Sequence, residues 1–267
     1  MTDLNGKTAL VTGSVQGIGK AVALALAGAG ARIAVNGLAT VEEGAAVAAE
    51  MRAAGAPDAR FFDADLRQAT QIDAMMDAID AWGGADILVN NAGIQKTAPL
   101  AELDGQTWDM ILAVNLSAAF HTMRRAMPGM AERGYGRVVN IASVHGLVAS
   151  VEKAPYVASK FGIVGLSRVA ALEYAAAGSK ASGGVTVNCI APGWTETAII
   201  EPQIVARAAD HGGDRDKGIA DLLSEKQPSM RTSDPSEIGA LALWLCDPVA
   251  HNVTGTTIPI DGGWTTR

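Results

Sequence analysis

Tyr156 and Lys160 are separated by Val157, Ala158 and Ser159, so on a helix the phenol and the ammonium share one face. A cation held there stabilises the phenolate and lets the tyrosine exchange a proton near neutral pH. Two further polar residues could join them. Ser143 lies thirteen positions before Tyr156, just past the apolar run Arg137–Ile141, and Asn115 sits in Val114-Asn115-Leu116-Ser117. Far upstream, the apolar run Thr8–Thr12 leads into Gly13-Ser14-Val15-Gln16-Gly17-Ile18-Gly19 and then into the alanine-rich stretch from Lys20. A glycine-rich turn between a strand and a helix lets the backbone approach a pyrophosphate, and the helix start offers free N–H groups and a positive dipole end. A proton-transfer pair plus a dinucleotide turn is the equipment of hydride-transfer chemistry.

These residues need elements to hold them. Short β-branched runs at Thr8–Thr12, Arg32–Asn36, Ala59–Asp63, Ile87–Asn90, Arg137–Ile141, Val185–Ile190 and Thr257–Ile260 alternate with helical patterns at about 17–29, 41–54, 68–82, 107–133, 155–177 and 235–246. That alternation predicts an α/β fold, a single Rossmann-type doubly wound parallel sheet of about seven strands, in one domain over residues 1–267. The stretch 196–227, charged, helical and interrupted at His211-Gly212-Gly213-Asp214, breaks the rhythm and is placed to form a helical substrate lid before the last helix. Gly178–Gly184 reads as a long, protruding αβ loop.

The chain has 267 residues, a net charge of −7, 49% hydrophobic and 18% charged residues, enough for a large core and too acidic for a nucleic-acid partner. No run is long enough to span a membrane, and the opening residues lack a signal-peptide pattern, so a cytoplasmic location is expected. Cys189 and Cys246 lie in apolar runs and read as buried thiols. The four histidines are scattered, and no metal site is expected.

The Gly-x-x-x-Gly-x-Gly turn resembles the nucleotide loop of the short-chain dehydrogenase/reductase family, and matches continue over residues 7–267. Asp65-Leu66 resembles the pair that meets the adenine. Asn90-Asn91-Ala92-Gly93 resembles the sheet-stabilising motif beside the cofactor, and Pro192-Gly193 with Thr197 the turn at the nicotinamide end. The resemblance therefore implies cofactor contacts from Gly13, Gln16, Gly17, Ile18, Gly19, Asp65, Leu66, Asn91, Ala92, Gly93, Tyr156, Lys160, Pro192, Gly193 and Thr197. It also implies an Asn115-Ser143-Tyr156-Lys160 tetrad: Tyr156 exchanges the proton, Ser143 hydrogen-bonds the substrate oxygen, Lys160 holds the nicotinamide ribose and Asn115 orients a relay water. Neither Gln16 nor Asn36-Gly37-Leu38-Ala39-Thr40 supplies a cation for a 2′-phosphate, which favours NAD over NADP. A homotetramer is expected from the resemblance alone.

Finer matches resemble one branch of the family, the bacterial 3-hydroxybutyrate dehydrogenases. They include Asn91–Gln95, Asn140–Val148, Pro192-Gly193-Trp194, Glu225–Ser229 and Asp261-Gly-Gly-Trp264. In that branch, residues matching Gln95, His145 and Lys153 bind the substrate carboxylate, and one matching Trp194 covers the substrate. The implied reaction is NAD-dependent oxidation of a short 3-hydroxy acid. Counting from Pro192, a second carboxylate-binding glutamine falls on Glu201, with Gln203 two residues later. An ionised Glu201 about 4 Å from the substrate carboxylate would cost roughly three decades of affinity. Three outcomes are open: Gln203 points inward, Glu201 turns away or is protonated, or the substrate is a different alcohol or ketone, neutral or cationic at that end.

Overall fold

The computed structural model describes residues 2–266. Among them, seven strands form one fully parallel sheet: β1 (Thr8–Val11), β2 (Arg32–Val35), β3 (Ala59–Phe61), β4 (Ile87–Asn90), β5 (Tyr135–Ile141), β6 (Gly184–Pro192) and β7 (Thr257–Ile260), in the order β3-β2-β1-β4-β5-β6-β7. The central strands β1, β4 and β5 are buried throughout, as a sheet covered on both faces requires. Helices α1 (Gly17–Gly28), α2 (Val41–Ala53) and α9 (Pro235–Cys246) pack one face around Val22, Leu26, Met51 and Ile238. The other face carries α3 (Ala69–Ala81), α5 (Ala118–Arg133) and α6 (Ala154–Tyr174), packed around Ile72, Met76, Met127 and Ala170. The doubly wound expectation holds. Strand order reverses between β1 and β4, and ligands of such sheets enter at the carboxyl ends flanking that point.

Local chemistry sets the helix starts. Thr40 and Glu43 form a reciprocal capping box on α2, and Asp234 accepts from Ser236 N at 2.8 Å ahead of Pro235-led α9. The single helix expected over 107–133 is divided instead into α4 (Gly105–Leu112), a π-helical turn (Ala113–Ser117) and α5. The π turn bulges where Asn115 is drawn toward the chain after β4.

The insertion between β6 and α9 is a helical hairpin of α7 (Glu201–Ala209) and α8 (Arg215–Ser224). A Cβ at Gly218 would lie 2.7 Å from Ala208 N, so glycine sets how closely the helices approach. Arg207 bridges across to Asp221 at 3.0 Å and to Glu225. Ile200, Ile204, Leu222 and Leu223 turn inward and join Val144, Trp194 and Trp264 in a separate apolar cluster. The hairpin thus shares a small core with Trp194, after β6, and with Trp264, after β7.

Candidate active site

Thr12 closes β1 and ties it to β4. Its Oγ1 accepts from Asn91 N at 3.0 Å and Ala92 N at 3.1 Å, while Asn91 Nδ2 donates to Thr12 O at 2.9 Å and Gly13 O at 3.1 Å. Gly13 and Gly17 adopt φ of +63° and +56°, which other residues rarely accept. A Cβ at Gly19 would meet Gly13 O at 2.3 Å, so the helix is pressed against the turn. Gln16 makes no side-chain cap and the first turn of α1 has no acid, so its N–H groups keep an open, positive end. Ile18 packs below on the sheet core. Across the crevice, Thr197 Cγ2 lies 3.5 Å from where a Gly17 Cβ would stand. Pro192 ends β6, and a Cβ on Gly193 would lie 2.7 Å from Gln227 Oε1. This cradle fits a dinucleotide diphosphate: close-approaching backbone, positive dipole end and no competing acid.

Two expected adenine-side residues sit beyond β3. Asp65 is bound by Arg67 Nε at 2.9 Å, and that hydrogen bond holds its carboxyl below the usual range. Leu66 is buried against the α3/α5 side of the sheet. At the tip of β2, Asn36 is buried and Leu38 is 83% exposed.

The structure brings Asn115, Ser143, Tyr156 and Lys160 to one place. Ser143 leaves the end of β5 and accepts from His145 N at 3.1 Å. Tyr156 and Lys160 lie one turn apart on α6, with Lys160 Nζ 5.5 Å from the phenol ring centroid and donating to Ile141 O at 2.8 Å. Burial lowers the Lys160 pKa to about 8. Burial raises the Tyr156 phenol, and its hydrogen bond with Ser143 opposes that rise. Asn115 clamps the β4 exit from both sides, accepting from Ile94 N at 2.8 Å and donating to Ile94 O at 3.0 Å. It also donates to Ser159 Oγ at 3.2 Å, and Ser159 donates to Tyr156 O at 2.7 Å. Ser159 was not singled out in the sequence, yet it links the π turn to α6. Gly93 leaves this junction open, for its Cβ would stand 3.6 Å from Asn115 Oδ1 and 3.7 Å from Lys160 Nζ.

Of the expected substrate residues, His145, Lys153 and Trp194 cluster near Tyr156. His145 packs edge-on to Tyr156 at 6.1 Å and to Trp264 at 5.5 Å, and Trp264 lies 5.5 Å from Trp194. Lys153, only 7% exposed, stands over Trp194 at 5.3 Å and donates to Gln203 Oε1 at 3.5 Å. Burial, with Lys226 adding repulsion, lowers Lys153 to about 8. Burial and then Lys153 lower His145 to about 4. His145 Nδ1 lies 3.2 Å from Val148 O, and since a carbonyl only accepts, the neutral ring carries its proton on Nδ1. Gln95 is half-buried on the β4–α4 loop, which the Ala98 N–Glu152 O bond of 2.9 Å holds beside Lys153.

Glu201 lies apart from this cluster, which is one of the three outcomes the sequence leaves open. It points out of the cluster, its side chain 46% exposed and ion-paired with Arg215 at 3.0 Å, which lowers its pKa. The reason is the phase of α7: with Ile200, Ile204 and Ala208 inward, Gln203 falls on the flank toward Lys153 and Glu201 on the flank toward α8. An open groove of about 640 Å³ along that outer flank is lined by Thr197, Glu201, Val205 and Arg215 and contains none of the tetrad. Gln227, whose Oε1 accepts from Trp194 N at 3.1 Å, and Trp264 complete the walls. Both lie in motifs visible in the sequence, but only the fold brings them to Trp194.

Comparison with known proteins gives consistent matches. A family model described as short chain dehydrogenase matches residues 7–206. The chain is 47% identical over 263 residues to the D-beta-hydroxybutyrate dehydrogenase of Cupriavidus necator, covering 98% of each chain. It is 42% identical over 262 residues to the enzyme of that name from Rhizobium meliloti, covering 98% of this chain and 99% of the relative. A crystal structure of gluconate 5-dehydrogenase from Burkholderia cenocepacia, in complex with NADP and tartrate, superposes with a TM-score of 0.86 at 33% identity, covering 99% of this chain and 97% of that one.

Proposed function

The chain belongs to the short-chain dehydrogenase/reductase family and is an oxidoreductase, and from that premise we propose that it oxidises (R)-3-hydroxybutyrate, or a close short-chain 3-hydroxy acid, to the 3-oxo acid with NAD. The observation that carries this reading is Lys153. It is a buried cation with no carboxylate at salt-bridge distance among the described residues, fixed by Gln203 over the Trp194 ring. A buried charge without a partner is costly and calls for an anion. The substrate carboxylate supplies it, while Gln95 and Gln203 offer amide hydrogen bonds and Trp194 and Trp264 cover the short carbon chain.

The dinucleotide would be held by Gly13, Gln16, Gly17, Ile18 and Gly19 at the diphosphate, by Asp65 and Leu66 at the adenine, and by Asn91, Ala92, Gly93, Pro192, Gly193 and Thr197 toward the nicotinamide. When bound, it would supply the acceptor for the hydride of the carbinol carbon. Tyr156 takes the hydroxyl proton, with Ser143 hydrogen-bonded to the same oxygen. Lys160, still mostly protonated at pH 7 with a pKa of about 8, favours the phenolate and holds the ribose hydroxyls. Asn115 orients the water through which the proton leaves. NAD is preferred over NADP because the tip of β2 carries Asn36-Gly37-Leu38 and no cation. The α7–α8 hairpin serves as the lid, closing Gln203 onto substrate. Apolar residues left outward on α5 and α6, Phe120, Phe161 and Leu172, supply faces for a homotetramer.

The deciding experiment follows absorbance at 340 nm with NAD and each enantiomer of 3-hydroxybutyrate, beside NADP and a panel of neutral secondary alcohols. Turnover of the (R) acid with NAD is expected to exceed every neutral alcohol in kcat/KM. Faster turnover of a neutral alcohol would overturn the reading.

A further inference from the structure

Lys226 lies at the end of the helical hairpin, outside the tetrad and outside the set of residues expected to touch substrate. Its Nζ stands 5.4 Å from the Trp264 ring centroid and donates to Ser150 Oγ at 3.2 Å. Trp264 packs against both Trp194 and His145, and Lys153 stands over Trp194. Each of the two packed indoles therefore carries an ammonium group over its ring. Of the hairpin's acids, Glu225 and Asp221 pair with Arg207, Glu201 with Arg215 and Asp214 with Lys217. The loop before α6 contributes Glu152, which is exposed, and β5 leads to His145. Among the described residues, no carboxylate lies within salt-bridge distance of Lys153 or Lys226. Two like charges on one aromatic pair repel each other, and an anion bound at either ammonium relieves that repulsion.

We propose that Lys226 is a specificity-determining residue, a second cation that draws carboxylates to the Lys153 pocket and discriminates against neutral alcohols without touching the reacting atoms. Ser150 and the Trp264 face hold its ammonium in place, so its charge acts from a fixed position. The inference deepens the reading of the site as a hydroxy-acid site.

The test measures binding of sodium butyrate, a short carboxylate that cannot be oxidised at C3, to the NAD-loaded enzyme by titration calorimetry. Wild type, Lys226→Met and Lys226→Arg are compared from pH 6.5 to 9.5. Methionine keeps an aliphatic stem on Trp264 and removes the charge; Lys226→Gln repeats the comparison if methionine lowers the melting temperature. Across the two packed indoles, a unit charge at an effective dielectric near 20 is worth roughly fivefold to tenfold in affinity. The expected result is a fivefold to tenfold rise in butyrate Kd for Lys226→Met and Lys226→Gln, with recovery in Lys226→Arg. The pH at which binding is lost should also move upward in the uncharged variants, because Lys153 no longer faces a second cation. Butyrate Kd within twofold of wild type in Lys226→Met, failure of Lys226→Arg to recover, or absence of butyrate binding to wild type would each overturn the proposal. Turnover of (R)-3-hydroxybutyrate by wild type, measured separately, judges the functional reading itself.

Discussion

Exchanging the polarity of two neighbouring positions on α7 distinguishes the side of the helix that meets substrate from the side that does not. Gln203→Glu changes an amide to a carboxylate of the same shape, at a position whose oxygen lies 3.5 Å from Lys153 Nζ. A substrate carboxylate bonded to that ammonium would stand about 4–5 Å from the new charge, and at an effective dielectric near 20 the repulsion is about 3–4 kcal/mol. The new glutamate also occupies Lys153, so both effects act against the substrate, and kcat/KM for (R)-3-hydroxybutyrate should fall by about two to three decades. Neutral secondary alcohols feel neither effect, and their kcat/KM should stay within about threefold. Glu201→Gln removes only an exposed ion pair with Arg215, so its rate constants should remain within about twofold of wild type. Initial rates at 340 nm over a substrate range, with melting temperatures for all three proteins, give the comparison. A Gln203→Glu enzyme within threefold of wild type on the acid, or a Glu201→Gln enzyme altered as much as its neighbour, would refute the assignment of α7's inner flank.

Four further outcomes follow from the same geometry. Tyr156→Phe should lower kcat by about 10²–10⁴-fold while leaving calorimetric binding of NAD intact, since it removes the proton acceptor and no cofactor charge. Butyrate binding should weaken as pH rises through about 8, because Lys153 carries its charge below that value and loses it above; His145, at about 4, is already neutral and contributes no step between pH 6 and 9. Leu38→Arg places a cation at the exposed tip of β2 and should improve kcat/KM with NADP by at least about tenfold, read from paired NAD and NADP assays. Gly19→Ala drives a methyl group to 2.3 Å from Gly13 O and should cost about 1–3 kcal/mol in denaturant unfolding while abolishing NAD binding.

How much was legible in the sequence divides along a physical line. The strands were readable because parallel strands covered on both faces are nearly continuous apolar runs, and the observed elements begin and end within about two residues of those runs. The glycine turn was readable because φ near +60° at Gly13 and Gly17, and the close approach at Gly19, leave few other residues that fit. The π turn was not readable: a single extra residue in a helical ladder leaves the apolar pattern over 107–133 nearly unchanged, and Asn115's bonds to Ile94 that go with it come from the other side of the chain reversal.

The same distinction explains Glu201. Counting residues from Pro192 fixes a distance along the chain, whereas the direction of a side chain on α7 depends on which residues the helix buries. Ile200, Ile204 and Ala208 are held by the apolar cluster that includes Trp194, Trp264, Leu222 and Leu223, and these come from three distant parts of the chain. Once that stripe faces inward, a step of two residues turns the chain by about 200°, enough to carry Glu201 to Arg215 and Gln203 to Lys153. A carboxylate-binding pocket thus keeps its positive character because the phase of one amphipathic helix excludes the nearby acid. Any substitution that rotates α7, such as a polar residue at Ile204, should therefore impair the acid substrate more than a neutral one even though Ile204 is not among the residues placed at the substrate.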